Sequence, residues 1–324
     1  MNGRGTARTV LAWVVVAPWV LWALIRLFGL EGAFLLVVLM AYTPFALVAS
    51  ILAAGGAALL RRWAPTALGV LAACALLIAV LPRMLPNGDP QINRPLSLRV
   101  MTANIHKSKV DPGAIADLVR RERIDLLSVQ ELTVDGAVGL ARTRLARDLP
   151  FHVLSLEGDS YGSGIYSRYP LLSSDPAPDT IRQAEGIVRL PGASLEVFCV
   201  HPYPPTGPSA VDLWSESVSN LPPAEPDGRL RVLAGDFNAT LDHDVLRDLI
   251  GSGYRDAGDA EGTGLEFTWP SHGSFGPLVA IDHILADRRI AIDDYEVHDL
   301  PGSDHRAVMA SLSLPSSGGL RASR

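Results

Sequence analysis

Two cysteines are all that the 324 residues contain. Cys74 lies in an apolar run and Cys199 in a predicted strand, so they are not expected to pair and no disulfide framework organises the chain. Charge is scarce at one end. Residues 1–86 hold a single acid, Glu31, and no lysine, against six arginines. Residues 87–324 carry 22 basic and 33 acidic side chains, and a domain this acidic lacks the broad basic footprint of a protein that wraps nucleic acid. His-Glu-x-x-His, Cys-x-x-Cys and Gly-x-x-x-x-Gly-Lys are all absent, which excludes the common zinc proteases, zinc fingers and P-loop enzymes.

Long apolar runs, by contrast, are present. Three of them, about Val10 to Phe28, Ala33 to Leu60 and Ala64 to Leu85, each reach the roughly 20 residues that a helix needs to cross a bilayer. No Ala-x-Ala-like cleavage site follows the first, and two more runs do, so it reads as a span and not as a signal peptide. Arg4 and Arg8 precede the first run and Arg61-Arg62 separate the second from the third. The positive-inside rule then places these arginines in the cytoplasm and everything after Leu85 outside, in a multi-pass protein of the cell membrane. Residues 1–86 are therefore expected to be a membrane domain, 87–95 a turn-rich linker, 96–314 a folded catalytic domain and 315–324 a disordered tail.

In the folded part, strands are predicted at Leu98–Ala103, Asp125–Val129, Phe151–Ser155, Gly164–Ser167, Leu195–Val200, Leu230–Ala234, Phe267–Trp269, Val279–Ala286, Ala291–Val297 and Ala307–Leu314. Helices are predicted at Pro112–Arg123, Asp135–Arg147, Ser209–Asn220 and His243–Ile250. Alternating strands and helices, then clustered strands, suggest an α/β domain with mixed sheets.

Four polar blocks stand at the edges of these strands: Val129-Gln130-Glu131, Gly235-Asp236-Phe237-Asn238, Ile281-Asp282-His283-Ile284 and Ser303-Asp304-His305. Asn104 and His201 also follow strands, and loops leaving strand ends line the ligand crevice of α/β folds. Asp236 and Asn238 flank Phe237, and in an extended segment both would point to one face. Asp282 in its apolar run needs a partner, and His305 is a natural one, a carboxylate that fixes the ring tautomer and leaves the other nitrogen to take a proton. Alternation sends His283 to the opposite face, as a structural residue. His106, His152, His243, His272 and His298 read as solvated or structural. Carboxylate and amide ligands favour Mg²⁺ or Mn²⁺ over zinc.

Taken in this order, these residues resemble the endonuclease/exonuclease/phosphatase superfamily, the DNase I-like metal-dependent phosphoesterases, from Leu98 to about Leu314. Asn104, Gln130-Glu131, His201, Gly235-Asp236-Phe237-Asn238, Asp282 and Ser303-Asp304-His305 match its motifs in turn. The resemblance implies a four-layer α/β sandwich of two mixed sheets, here preceded by three transmembrane helices. It implies phosphodiester hydrolysis by in-line attack of water. Glu131, with Asn104 and Asp304, would hold Mg²⁺ or Mn²⁺. Asn238 and His201 would brace phosphoryl oxygens, and His305 with Asp282 would activate water, with Asp236 either orienting that water or acting as base. Lys107, beside Lys109, and Trp269 are candidate substrate contacts, although Trp269 also suits a core strand end. A nucleic acid or a phospholipid would serve as substrate, and no feature points to a protein partner. A phosphomonoesterase, or a tethered binding protein without catalysis, is the alternative.

Overall fold

The computed structural model describes residues 3–93, 95–156, 161–173, 183–274 and 276–315. The expected tail, apart from Pro315, lies outside them. The chain opens with four helices, α1 (Gly3–Phe28), α2 (Phe34–Met40), α3 (Thr43–Leu59) and α4 (Trp63–Val80), followed by a 3₁₀ turn at Leu81–Met84. Two helical stretches, Gly5–Phe28 and Trp63–Met84, are long and apolar enough to cross a membrane. The second expected span is broken: α2 and α3 meet at 81°, so they make a third crossing only if the bent pair counts as one. Pro44 explains the break. It has no N–H to offer the Met40 carbonyl four residues back, and its ring clashes there. The Thr43 hydroxyl takes that carbonyl instead at 2.7 Å and accepts the Trp22 indole N–H at 3.1 Å. Helix α3 packs beside α1 and α4, with Ala23, Ala46, Ala72 and Leu76 between them.

The folded domain adds strands β1 (Leu96–Asn104), β2 (Leu126–Gln130), β3 (Phe151–Ser155), β4 (Ser163–Ser167), β5 (Leu171–Ser173) and β6 (Glu185–Leu190). They are followed by β7 (Ala193–Val200), β8 (Leu230–Asp236), β9 (Tyr254–Asp256), β10 (Asp282–Asp287), β11 (Ala291–His298) and β12 (Ala307–Leu314). Its helices are α5 (Pro112–Arg121), α6 (Val134–Ala141), α7 (Leu145–Asp148), α8 (Val211–Ser219), α9 (Asp244–Gly251) and α10 (Ala257–Ala260). Two six-stranded mixed sheets result, ordered β11-β12-β1-β2-β4-β3 and β5-β6-β7-β8-β10-β9.

Period-two alternation sorts each strand between two cores. Leu98, Val100, Leu126, Val232, Ile284 and Leu312 fill the space between the sheets. Met101, Leu127 and Val129 turn outward onto Ile115, Leu118 and Leu140 of α5 and α6. On the far side, Leu233, Phe237 and Leu285 pack with Trp214 of α8, Leu246 of α9 and, from the N-terminal helices, Val37 of α2. This is the four-layer α/β sandwich, with one outer layer extended by α2.

Several local expectations change. Phe267–Trp269 forms no strand, only a bridge from Trp269 to Val279. The helix expected over residues 135–147 is two short helices, α6 and α7, separated at 142–144. Strands β5, β6 and β9 carry weak patterns, β6 offering Val188 and Leu190 as its only large buried side chains. The expected linker is docked: Asn87 N–H donates to Ala260 O at 2.7 Å, and Asp89 accepts from Ile292 N at 3.1 Å and pairs with Arg255.

Candidate active site

The rows of side chains between the sheets change character along their length. In β1 the inward row runs Leu98, Val100, Thr102, Asn104, and in β8 it runs Leu230, Val232, Ala234, Asp236. In β10 it starts at Asp282 and continues to Ile284 and Ala286. Because β10 is antiparallel to β8 and pairs Asp282 with Asp236, both acids fall at the same end of their sheet. β1 and β2 are parallel and end together at Asn104 and Gln130, and β12 runs antiparallel to β1, bringing its preceding loop and His305 there too. Close approach of β7 and β8 requires Gly235, since a Cβ there would lie 1.8 Å from the Val200 carbonyl.

Beneath the site, buried polar side chains satisfy one another. Gln130 accepts from Thr102 Oγ1 at 3.1 Å and donates to Ser128 Oγ and Cys199 Sγ, at 2.9 and 3.1 Å. Ser128 Oγ donates across the layer to Ala234 O at 2.8 Å. This network joins the two sheets at the floor of the crevice.

Above it, the Asn104 amide nitrogen donates to Glu131 Oε1 at 3.2 Å and Asp236 Oδ2 at 3.1 Å. Its oxygen accepts from His106 N–H at 3.0 Å. In this orientation Asn104 organises two carboxylates and presents no oxygen to an ion beside them. His305 Nδ1 lies 3.0 Å from Asp282 Oδ2, and its Nε2 is 3.6 Å from Asp236 Oδ2. His201 Nε2 approaches the same oxygen at 3.8 Å. Burial alone would lower the His305 pKa, but the Asp282 and Asp236 carboxylates override it and push it up to about 10. Burial raises the Asp236 carboxyl above its ordinary value, His305 opposing and Asp282 adding to the shift. Burial lowers the His201 imidazole, a shift that Asp236 only partly offsets.

Asn238 departs from the expected extended geometry. The strand ends at Asp236, whose Oδ1 accepts Asn238 N–H at 2.8 Å, and Asn238 itself is left-handed with φ 49°. Asn238 Nδ2 donates to Pro202 O at 3.2 Å, tying the loop of His201 to that of Asp236. Glu131 is left-handed as well, at φ 56°. Such backbone strain concentrates where a side chain must be aimed. A third left-handed stretch, His106-Lys107-Ser108 (φ 48°, 54° and 58°), brings Lys107 to the cavity. It is pinned by Ser108 Oγ accepting from Thr133 N at 2.9 Å.

Asp304, half exposed, is not among the residues that line the cavity, and its Oδ1 lies 3.1 Å from His106 Nδ1. Ser303 Oγ donates to Asn104 O at 2.7 Å and accepts from His305 N at 3.0 Å, locking that block onto β1. Of the expected site residues, Glu131, Asp236, Asn238, His201, His305, Lys107 and Trp269 line one cavity of about 640 Å³. Asp282 and Asn104 stand behind it, in contact with His305 and Asp236. His283 faces away, bonded to Asp256 Oδ2 at 2.8 Å and to Ala239 O at 2.9 Å.

Other residues on or beside the wall carried no signal of their own in the sequence. Tyr161 stacks edge-on against Tyr203, 5.1 Å between centroids. His106 contacts Asp304, as above. His243, buried and bonded to Thr240 N at 2.8 Å and Val37 O at 2.9 Å, fixes α2 against the cavity.

A divalent cation fits the donors present. Glu131 Oε2 is buried with no hydrogen-bond partner among the described residues, and an unpartnered hard oxygen in a carboxylate-lined crevice is what Mg²⁺ or Mn²⁺ would satisfy. The buried oxygens of Asp236 and Asp282 and a nitrogen of His305 also lie within 4.8 Å of one another. Asp282 already pairs with His305 Nδ1, so this group reads as an imidazole–carboxylate dyad with a second acid facing it.

No curated protein matches this sequence. Among solved structures, similar ones include an endonuclease/exonuclease/phosphatase from Beutenbergia cavernae DSM 12333, at 20% identity and TM-score 0.51, covering 68% of this chain and 72% of the other. The 3′-5′ exonuclease NExo from Neisseria meningitidis shares 21% identity at TM-score 0.52, covering 66% of this chain and 98% of its own. A humanised D. rerio TDP2 shares 16% at TM-score 0.51, covering 67% and 98%. These likenesses establish a common fold. The sequence itself matches the profile of the Endonuclease/Exonuclease/phosphatase family over residues 101–305, well over half its length. With that match and the convergent crevice, the chain belongs to the endonuclease/exonuclease/phosphatase family.

Proposed function

We propose that this protein is a membrane-anchored, divalent-metal-dependent phosphoesterase that cleaves a phosphodiester by in-line attack of water. The observation that carries the reading is the meeting of Glu131, Asp236, His201 and His305 in one cavity, backed by Asn104 and Asp282. Glu131 and Asp304 would hold the cation, with Asn104 joining them only if its amide is turned. A bound Mg²⁺ or Mn²⁺ supplies Lewis acidity at a phosphoryl oxygen and neutralises charge that develops there.

The protein's own residues do the rest. Asp282 fixes His305 Nδ1, so that Nε2 faces Asp236 across 3.6 Å. A water held between these two groups is aimed at the phosphorus; as it attacks, Asp236 or His305 takes its proton and the bond from phosphorus to the departing ester oxygen breaks. His201 and Asn238 brace the non-bridging oxygens, Lys107 adds positive charge at the rim, and Trp269 forms a side of the substrate channel. Arginines at one end of the helical bundle favour a catalytic domain on the outer face of the cell membrane.

The test uses the full chain in nanodiscs with bis-p-nitrophenyl phosphate, and p-nitrophenyl phosphate to compare monoester. Turnover is expected to require added Mg²⁺ or Mn²⁺, to stop with chelator, and to fall about 100-fold or more in Glu131→Gln and in His305→Gln. Glu131→Gln is also expected to weaken Mn²⁺ binding in a direct titration. Turnover that ignores metal, or that survives in both variants, would overturn the reading.

A further inference from the structure

We propose that the bend between α2 and α3 forms part of the substrate site and that the substrate is a phosphoester bearing a long alkyl tail. This rests on the phosphodiesterase reading above and adds to it a tail-binding wall. Val37, Val38, Ala41 and Tyr42 line the cavity that holds Glu131, Asp236 and His305. The family match begins only at residue 101, so this wall comes from a part of the chain outside it. Trp269 and Val279 line the cavity as well, so its wall joins aliphatic and aromatic side chains to the carboxylates and imidazoles, with Trp269 6.4 Å from His305 between ring centroids.

The α2–α3 part of this wall runs on into the apolar helical bundle. Tyr42 is followed at once by α3, where Phe45, Val48 and Leu52, spaced on one helical face, are exposed. Val38 is exposed on α2, beside the cavity. An alkyl chain leaving the phosphate over the bend would therefore meet apolar side chains as it passes to the bundle. The wall is held in place: His243 Nε2 bonds Val37 O, the Thr43 hydroxyl bonds Met40 O, and Val37 is buried against Phe237 and Trp214.

Charge argues in the same direction. A polyanion needs a track of basic side chains along its backbone. Among the described residues on this cavity's wall, Lys107 is the one lysine or arginine. One such group suits the single phosphate of an amphiphile.

The experiment uses the full chain in nanodiscs and a series of p-nitrophenyl alkyl phosphates from methyl to octyl. Each methylene buried is worth a factor of about 3 to 4, so kcat/KM is expected to rise at least about tenfold across the series. In Val38→Gln and in Ala41→Trp, which respectively wet and fill the wall, the octyl-to-methyl ratio is expected to fall about fivefold or more. A flat wild-type series with metal-dependent hydrolysis of the methyl ester would overturn the tail site and leave the phosphodiesterase reading standing. A rising series that neither variant alters would also overturn it, because the gain would then come from partition into the bilayer. Faster cleavage of a short single-stranded DNA than of the octyl ester would overturn it in favour of a nucleic acid. Failure to hydrolyse any diester would remove the underlying reading, and the tail site with it. The wild-type series needs no substitution, so a variant that misfolds does not blunt the test.

Discussion

In the proposed reaction, Asp282 acts through another residue. Its carboxylate touches His305 Nδ1 at 3.0 and 3.2 Å and is itself oriented by Thr268, whose hydroxyl accepts the Ile281 and Asp282 N–H groups at 3.2 and 3.3 Å. Asp282→Asn keeps the shape but removes the charge that holds the ring and sets its tautomer. The expected outcome is a kcat lower by about 10²–10⁴-fold with little change in KM. Because the two residues act as a unit, Asp282→Asn with His305→Gln should lose little more than the worse single variant, and steady-state kinetics on the three proteins checks this. Asp282 was legible because it closes an apolar row of period two, where a charge is conspicuous, and His305 because it stands in a polar block just before the apolar run of β12. His106 was not, since its pairing with Asp304 depends on a left-handed turn that no pattern of side chains announces. Tyr161 and Tyr203, from separate loops, meet only in the folded protein.

At the scale of elements, the segment from Thr240 to Arg247 is the dock for the N-terminal helices. Asp242 is buried between two arginines, Arg83 at 2.7 and 2.8 Å and Arg26 at 2.6 Å. Asp244 N–H bonds Glu31, and Arg247 donates to Arg26 O at 3.1 Å. Burial alone would raise the Asp242 carboxyl, but Arg83 and Arg26 outweigh it and hold it below the ordinary carboxylate value. A depressed folded-state pKa contributes stability that is fully present above the unfolded-chain value and is lost as pH falls through the lowered one. Asp242→Ala leaves the buried Arg83 and the partly buried Arg26 without their partner and is expected to cost about 3–5 kcal/mol. Thermal unfolding in detergent checks that cost, and the variant should lose less further stability than wild type on acidification below about pH 4. The layered sandwich was readable from alternating strands and helices. The dock was not, because a twenty-odd-residue apolar run conceals the Thr43-Pro44 break that frees α2 to leave the bundle.

For the whole molecule, the direction of the helices decides where the chemistry happens. The end of α1, the start of α3 and the turn after α4 all meet the folded domain: Arg26 and Arg83 bind Asp242, and Phe45 stacks on Phe267 with 5.7 Å between centroids. The start of α1, the end of α3 and the start of α4 therefore gather at the opposite end, where Arg62 Nη2 donates to Gly5 O at 2.5 Å. Arg8, Arg61 and Arg62 thus stand a bundle's length from the cavity, with the apolar helices between. If the positive-inside rule governs the orientation, the arginine end faces the cytoplasm and the cavity opens at the outer leaflet. Glu225, exposed on the catalytic domain, and Arg61, between α3 and α4, are suitable reporters. In a Cys74→Ser background, where the remaining Cys199 is buried between the sheets, a membrane-impermeant maleimide should label Glu225→Cys on intact cells. Arg61→Cys should react only after permeabilisation. The reverse pattern would place the catalytic domain inside, and any tailed substrate would then have to come from the inner leaflet.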